Sequence, residues 1–287
     1  MMRAQVLGVV MLISASASPL HAQLGGAVAS ESCGEVVSVA THGRTTTRYA
    51  LARPDVSPSG NPIVLVLLAG GGGHLNLDDR GCPRALLGNF LVRSLPHFHG
   101  QGLMTAFVDA PSDHPGEDGL KGFRTSAQHA DDLGKVVSDL RKRTGAAVWM
   151  VGTSRGTISA ANAASRLAGT SAPDGLVLTT AVTSGGRGGM RPWVVQTVFD
   201  VPLQKIGIPV LVVGHAADKC PRTPAGLMSR ILERTNGVRE QVVTVTGGPG
   251  GNPQGLEACQ GRTPHGFIGQ EADVIAGIGR FVGGGRY

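Results

Sequence analysis

The feature that most constrains this chain is a run of Ile, Val and Leu that stops abruptly at glycine. "NPIVLVLLAGGGGH" ends its apolar stretch on four consecutive glycines. A strand with one wet face alternates apolar and polar side chains. A continuous apolar run belongs to a strand buried on both faces, as in a parallel sheet covered by helices. The stretches at 102–109, 147–151, 175–182 and 208–215 are of the same kind, and 240–247 also reads as a strand. Between them, residues 83–97, 126–143, 156–168, 224–236 and 266–283 read as helices, with Pro96 ending the first. In 126–143 the residues Leu133, Val136, Val137 and Leu140 recur at helical spacing, Ser126 suits an N-cap and Gly145 a stop. Strands alternating with helices predict a mostly parallel sheet with helices on both faces. Residues 35–41 and 45–52, rich in Val and Thr with Gly43 between them, predict an antiparallel hairpin at the start, so the sheet is mixed.

At 287 residues and 41% hydrophobic, the chain can bury the core of one α/β domain. Residues 1–22 stand apart. Arg3, an apolar stretch from Val6 to Ile13 and small residues ending at Ala22 have the layout of a secretory signal peptide. That stretch is too short to span a bilayer, which takes about 20 residues. The expectation is an exported protein, secreted or periplasmic, with one catalytic domain over 23–287 and no stable membrane insertion. Export favours disulfides among Cys33, Cys82, Cys220 and Cys259, whose spacing suits no zinc site, and three pairings are open. The net charge of +6 has no long basic run, and its densest cluster, Arg141-Lys142-Arg143, ends a predicted helix. With two Trp and two Tyr there is no stacking platform for nucleic acid, so no nucleic-acid partner is expected.

Sheets of this type carry their functional groups in the loops at the carboxyl ends of the strands. Strand 147–151 is followed by Gly152-Thr153-Ser154-Arg155-Gly156 and then by a helix of small residues. That is the setting of a nucleophile elbow, in which glycines two places away let strand and helix approach closely. Strand 208–215 is followed by Asp218, and strand 240–247 leads through a glycine-rich loop to His265. The order Ser154, Asp218, His265 is one of three known orders of serine triads. Asp109, Asp113 and His114 precede the serine and do not fit that order. His97 and His99 lack the companions of a metal site, and His42, His129 and His215 read as packing or surface residues.

Together these residues resemble the α/β-hydrolase superfamily over essentially the whole chain after the leader. The resemblance is carried by the elbow, by Asp218 and His265, and by the loop "AGGGGH" at 69–74. It is nearest to compact secreted serine esterases, the cutinase and polyester-hydrolase branch, and to dienelactone-hydrolase-like proteins. It implies Ser154 as nucleophile, Asp218 as acid and His265 as base. It also implies an oxyanion hole from the N–H of Gly71 or Gly72 and that of Arg155. Hydrolysis of a small or polymeric ester through an acyl-enzyme needs no cofactor and no metal. A peptidase, thioesterase or acyltransferase on the same triad is the alternative chemistry, and a non-catalytic binding module the alternative class. The short segment 183–207 predicts little or no cap domain, with Trp193 and Phe199 as candidate apolar walls against plain core packing. His74 is a further candidate for substrate contact. With Asp218 and His265 in contact, the resemblance implies a Cys220–Cys259 clamp between their loops, as in the polyester-hydrolase branch, and Cys33–Cys82 as the second pair.

Overall fold

Residues 1–2, 32–54, 60–186 and 192–287 are described by a computed structural model, and Ser32–Tyr287 form one contact unit. Beyond its first two residues, the expected signal peptide lies outside the described residues. The elements run β1 (Glu35–Ala40), β2 (Thr46–Ala52), β3 (Ile63–Leu68), α1 (Phe90–Arg93), α2 (Leu95–Gly100), β4 (Met104–Val108), α3 (Ala127–Thr144), β5 (Ala147–Thr153), α4 (Gly156–Arg166), β6 (Gly175–Thr179), β7 (Val210–His215), α5 (Ser229–Leu232), β8 (Glu240–Val245) and α6 (Glu271–Val282). They build an eight-stranded sheet in the order β1-β2-β4-β3-β5-β6-β7-β8. The β1–β2 and β2–β4 pairs are antiparallel, and all pairs from β4 to β8 are parallel. This is the α/β-hydrolase arrangement.

The continuous apolar runs are explained by two cores. Val64, Val66 and Leu68 of β3 join Val148 and Met150 of β5 on one face, against α3 and α4. Leu65 and Leu67 join Trp149 and Val151 on the other, against α1, α2 and α6. Both halves of the two-residue period are buried, each such Val or Leu contributing about 1.5–3 kcal/mol relative to exposure. Helix α3 begins where Ser126 accepts from the His129 N–H at 3.0 Å and ends at Gly145 in the left-handed region, φ 64°. Helix α4 is buried throughout from Gly156 to Ser165, and its small side chains let it lie close on the sheet.

Three helices are shorter than the sequence pattern predicts. The 83–97 segment is a loop up to Asn89 and then two short helices, α1 and α2. Pro96 stands in the first turn of α2, where its missing N–H costs nothing, so it starts a helix rather than ending one. Of 224–236, only a 3-10 turn (Ala225–Leu227) and α5 are helical. Helix α6 starts at Glu271 because Phe267 (φ 53°) and Gly269 (φ 71°) break the path before it. The freed loop 83–89 and residues 259–266, at the end of the glycine-rich loop, are the ones that wall the site.

Candidate active site

The turn between β5 and α4 is held by three close approaches. A methyl group at Gly152 would stand 2.5 Å from the Gly156 carbonyl oxygen, and one at Gly156 would stand 2.0 Å from that of Leu68. One at Gly70 would stand 2.9 Å from Cβ of Ser154. No side chain fits at any of the three. Ser154 itself takes the left-handed conformation, φ 51°, at a cost of about 1–2 kcal/mol for a residue with a Cβ. The surroundings enforce it. The Ser154 N–H donates to Thr179 O at 3.0 Å, and its carbonyl accepts from the Thr157 hydroxyl at 2.6 Å and the Thr157 N–H at 3.0 Å.

Asp218 and His265 meet across 47 positions of sequence. With the hydrogen on Nδ1, the His265 imidazole donates to Asp218 Oδ2 at 3.0 Å. The other carboxylate oxygen accepts from the Cys220 N–H at 2.9 Å. The Thr223 hydroxyl donates to Oδ2 at 2.7 Å and lies 3.1 Å from the same imidazole nitrogen. Both His265 and Asp218 are buried, and His265 Nε2 has no hydrogen-bond partner among the described residues. A buried acceptor without a partner is costly. Thr223 was not visible from sequence, since a threonine five places after an acid carries no motif.

The His265 loop is fixed by contacts as close as those of the elbow. A methyl at Gly266 would lie 1.9 Å from Gly261 O, and one at Gly261 2.0 Å from Gly88 O. Arg93 donates to Gly261 O at 2.9 Å and Gly266 O at 2.8 Å while pairing with Glu271 at 3.0 Å. Burial pulls the Arg93 guanidinium down from its ordinary pKa, with Glu271 opposing. Two disulfides are formed, Cys33–Cys82 and Cys220–Cys259, with Cα separations of 4.9 and 4.6 Å. The second joins the Asp218 loop to the loop in front of His265. Asp218, Cys220 and His265 bring ligand-type atoms within 4.8 Å of one another. The Cys220 sulfur is committed to the disulfide and Nδ1 to the carboxylate, a donor set that fits a hydrogen-bonded relay and not a metal ion.

Ser154 and His265 open on one cleft of about 180 Å³, walled by Gly71, Leu86, Asn89, Phe90 and Gln260. Gly71 has φ 54° and faces the Leu86 side chain. Gly72 sits behind it, against the Glu117 carbonyl, and is not a wall of the cleft. Arg155 caps α4. Burial holds its guanidinium down to a pKa of about 10, with the charge of Arg222 adding to the effect and Asp118 opposing it. His74 does not line the cleft. Its Nδ1 lies 3.4 Å from Asp109, whose carboxylate also accepts the Leu75 and Leu77 N–H groups at 2.6 and 3.0 Å. Phe199 packs on the core of the α3 and α4 face, with Arg234 over its ring at 4.6 Å, and is not a wall. Trp193 falls in a 3-10 turn (Pro192–Val195), and its side chain lies outside the described residues. Asp113 is taken up by His42, at 2.9 Å.

No protein-family model matches the chain, and no curated protein matches its sequence significantly. Solved structures do resemble it. Est1E from Butyrivibrio proteoclasticus superposes with a TM-score of 0.57 at 15% identity, over 87% of this chain and 98% of that one. An alpha-beta serine hydrolase homologue from Coxiella burnetii gives 0.55 at 13%, over 86% and 97%. A serine hydrolase without a lid from Xanthomonas campestris gives 0.51 at 15%, over 84% and 93%. At such identities the likeness establishes the fold, which these hydrolases share with this chain. Est1E has also been solved with ferulic acid bound.

Proposed function

We propose that this protein is a serine hydrolase of carboxylic esters, acting through an acyl-enzyme on Ser154. The observation that carries the reading is one shared cleft. A serine held in a strained turn faces the same small cavity as a buried imidazole whose Nε2 is unpartnered and whose Nδ1 is bound to a carboxylate. His265 Nε2 takes the Ser154 proton as Oγ bonds to the ester carbonyl carbon. Asp218, held in turn by Thr223, keeps the imidazole in the required tautomer and stabilises its cation. The oxyanion is received by the N–H of Arg155 and that of Gly71 or Gly72, each donor worth about 3–4 kcal/mol of barrier. The alcohol leaves with the His265 proton, and water, deprotonated by His265, releases the acid. The small volume of the cleft favours a short acyl group, since pockets for larger ligands run to roughly 300–1,000 Å³.

The proposal includes an exported setting. It rests on the leader-like first 22 residues and on the two disulfides, which persist in oxidising compartments. No helix among the described residues is long and apolar enough to cross a membrane. The test is labelling with a fluorophosphonate followed by peptide mass spectrometry, beside a screen of p-nitrophenyl esters of graded length and a ferulate ester. Labelling at Ser154 and turnover of short esters, both lost in Ser154→Ala, are expected. A protein that is neither labelled nor active would be a binding module on this scaffold.

A further inference from the structure

Among the described residues, the most deeply buried guanidinium is that of Arg124. It is 2% exposed, and among the described residues it forms no ion pair. An unpaired buried cation is expensive. Burial, with the charge of Arg155 adding to it, drives the guanidinium well below its ordinary pKa. What the side chain touches explains its presence. Nη2 donates to Ala69 O and Gly71 O, each at 3.2 Å, and Nη1 donates to the Ser159 hydroxyl at 2.7 Å. Gly73 makes the room, because a methyl there would stand 2.7 Å from Nη2.

These acceptors lie in the glycine loop that borders the cleft. A run of glycines lets peptide planes turn at little cost, so a loop offering N–H donors to an oxyanion must be held from outside. The carbonyls of Gly70 and Gly72 are held by backbone, accepting from the Gly73 N–H at 3.0 Å and the Leu120 N–H at 2.8 Å. The alternate carbonyls, Ala69 and Gly71, are held by Arg124. A planar trans peptide carries its C=O and N–H on opposite sides. Fixing these carbonyls therefore fixes the direction of the N–H groups of Gly70 and Gly72, on either side of Gly71. The third contact reaches α4, the helix capped by Arg155. Ser159 accepts from Arg124 and, with the His129 hydrogen on Nδ1, donates to His129 Nε2 at 2.9 Å. His129 is held neutral for that role, its pKa pushed down to about 3 by burial and then by the charge of Arg124.

We propose that Arg124 is the positioning residue of the oxyanion hole: one buried guanidinium ties the glycine loop to helix α4, so that the two donor segments keep a fixed separation. This rests on the hydrolase reading of Ser154. It makes a distinct demand, because loss of Arg124 must weaken binding of the tetrahedral state while leaving ground-state binding of the ester alone.

The experiment compares wild type, Arg124→Lys and Ser159→Ala on a short p-nitrophenyl ester and on an alkylboronic acid, which forms a tetrahedral anion on the serine. Rates are normalised to sites titrated with fluorophosphonate, and folding is checked by melting temperature. For Arg124→Lys, kcat should fall about 10–100-fold, somewhat less than for outright removal of one oxyanion donor. KM should stay within about threefold, and the boronate should bind more weakly by the same factor as kcat. Ser159→Ala keeps the guanidinium but frees its far end, and should give the same pattern at about 3–10-fold. It carries the test if the lysine variant does not fold. The proposal is overturned if folded, titrated variants keep kcat and boronate affinity within about threefold of wild type, or if the whole effect falls on KM. If wild type itself is neither titrated nor active, it is the hydrolase reading that fails, and the role of Arg124 falls with it.

Discussion

Removing the Cys220–Cys259 bond should cost both stability and turnover. The double variant Cys220→Ala/Cys259→Ala leaves Cys33–Cys82 in place, so one cross-link is tested alone. The bond closes a loop with a sequence separation of 39. In the chain-entropy account, opening a loop of that size restores about 4 kcal/mol of freedom to the unfolded chain. For a unit of roughly 250 residues, 1 kcal/mol moves the melting temperature by about 2 °C, so the midpoint should drop by about 8 °C. The kinetic part follows from what the bond joins. Cys220 gives its N–H to Asp218, and Cys259 walls the cleft beside His265. Loosening the two loops should misplace the imidazole, and kcat should fall about tenfold or more, since a displacement of 1 Å can cost about 100-fold. The assay is calorimetry or circular dichroism for the midpoint, with ester turnover measured at least 15 °C below it (roughly two such shifts) so that unfolding does not contribute. A midpoint within about 2 °C of wild type, or turnover that declines only with the folded fraction, would refute the clamp.

Replacing Ser154 by glycine should abolish turnover and raise stability by about 1 kcal/mol, because the left-handed backbone at this position penalises a Cβ; calorimetry showing no gain would place the strain elsewhere. Thr223→Val should leave KM near its wild-type value, lower kcat about tenfold and destabilise the fold by about 1–3 kcal/mol, since Asp218 Oδ2 loses a buried donor. Steady-state kinetics beside chemical denaturation separate the two effects. His42 lies between Asp132, at 2.6 Å, and Asp113, at 2.9 Å. Burial opposes its charge, but the two carboxylates outweigh burial and raise its pKa above 6.5. Its contribution to stability is therefore full below that value and is lost as pH rises through the raised pKa. The melting temperature of wild type should fall over that interval more steeply than that of His42→Gln, and parallel curves would count against the pair.

The uninterrupted apolar runs of β3 and β5 already imply a sheet covered on both faces, because no other placement keeps both halves of the two-residue period dry. The eight-stranded mixed sheet bears that out, including the antiparallel start. The Ser126 cap and the Gly145 stop of α3 were legible for a related reason, since each acts within one turn of its own helix. Helix lengths were less legible where a loop is pinned from afar. Residues 83–89 have helical character locally, yet Leu77 pairs with Pro83 and Gly88 O lies under Gly261, which draws them into a wall of the cleft.

Sequence alone determined which kinds of residue stand at the strand ends, because strand, turn and helix propensities are local and Gly-x-Ser-x-Gly needs only its own neighbours. Beyond the Asp218–His265 pair that the resemblance implies, it could not determine the partners of those residues. Thr223 matters through a carboxylate and an imidazole brought together by two loops, and Arg124 through the carbonyls of a loop 53 and 55 positions away. His74 and Phe199 carry side chains that could line a cleft, but Asp109 holds the first and the core the second. Hydrogen bonds and burial are set by distances in space, and only closing the sheet and packing its loops brings such residues within reach of one another.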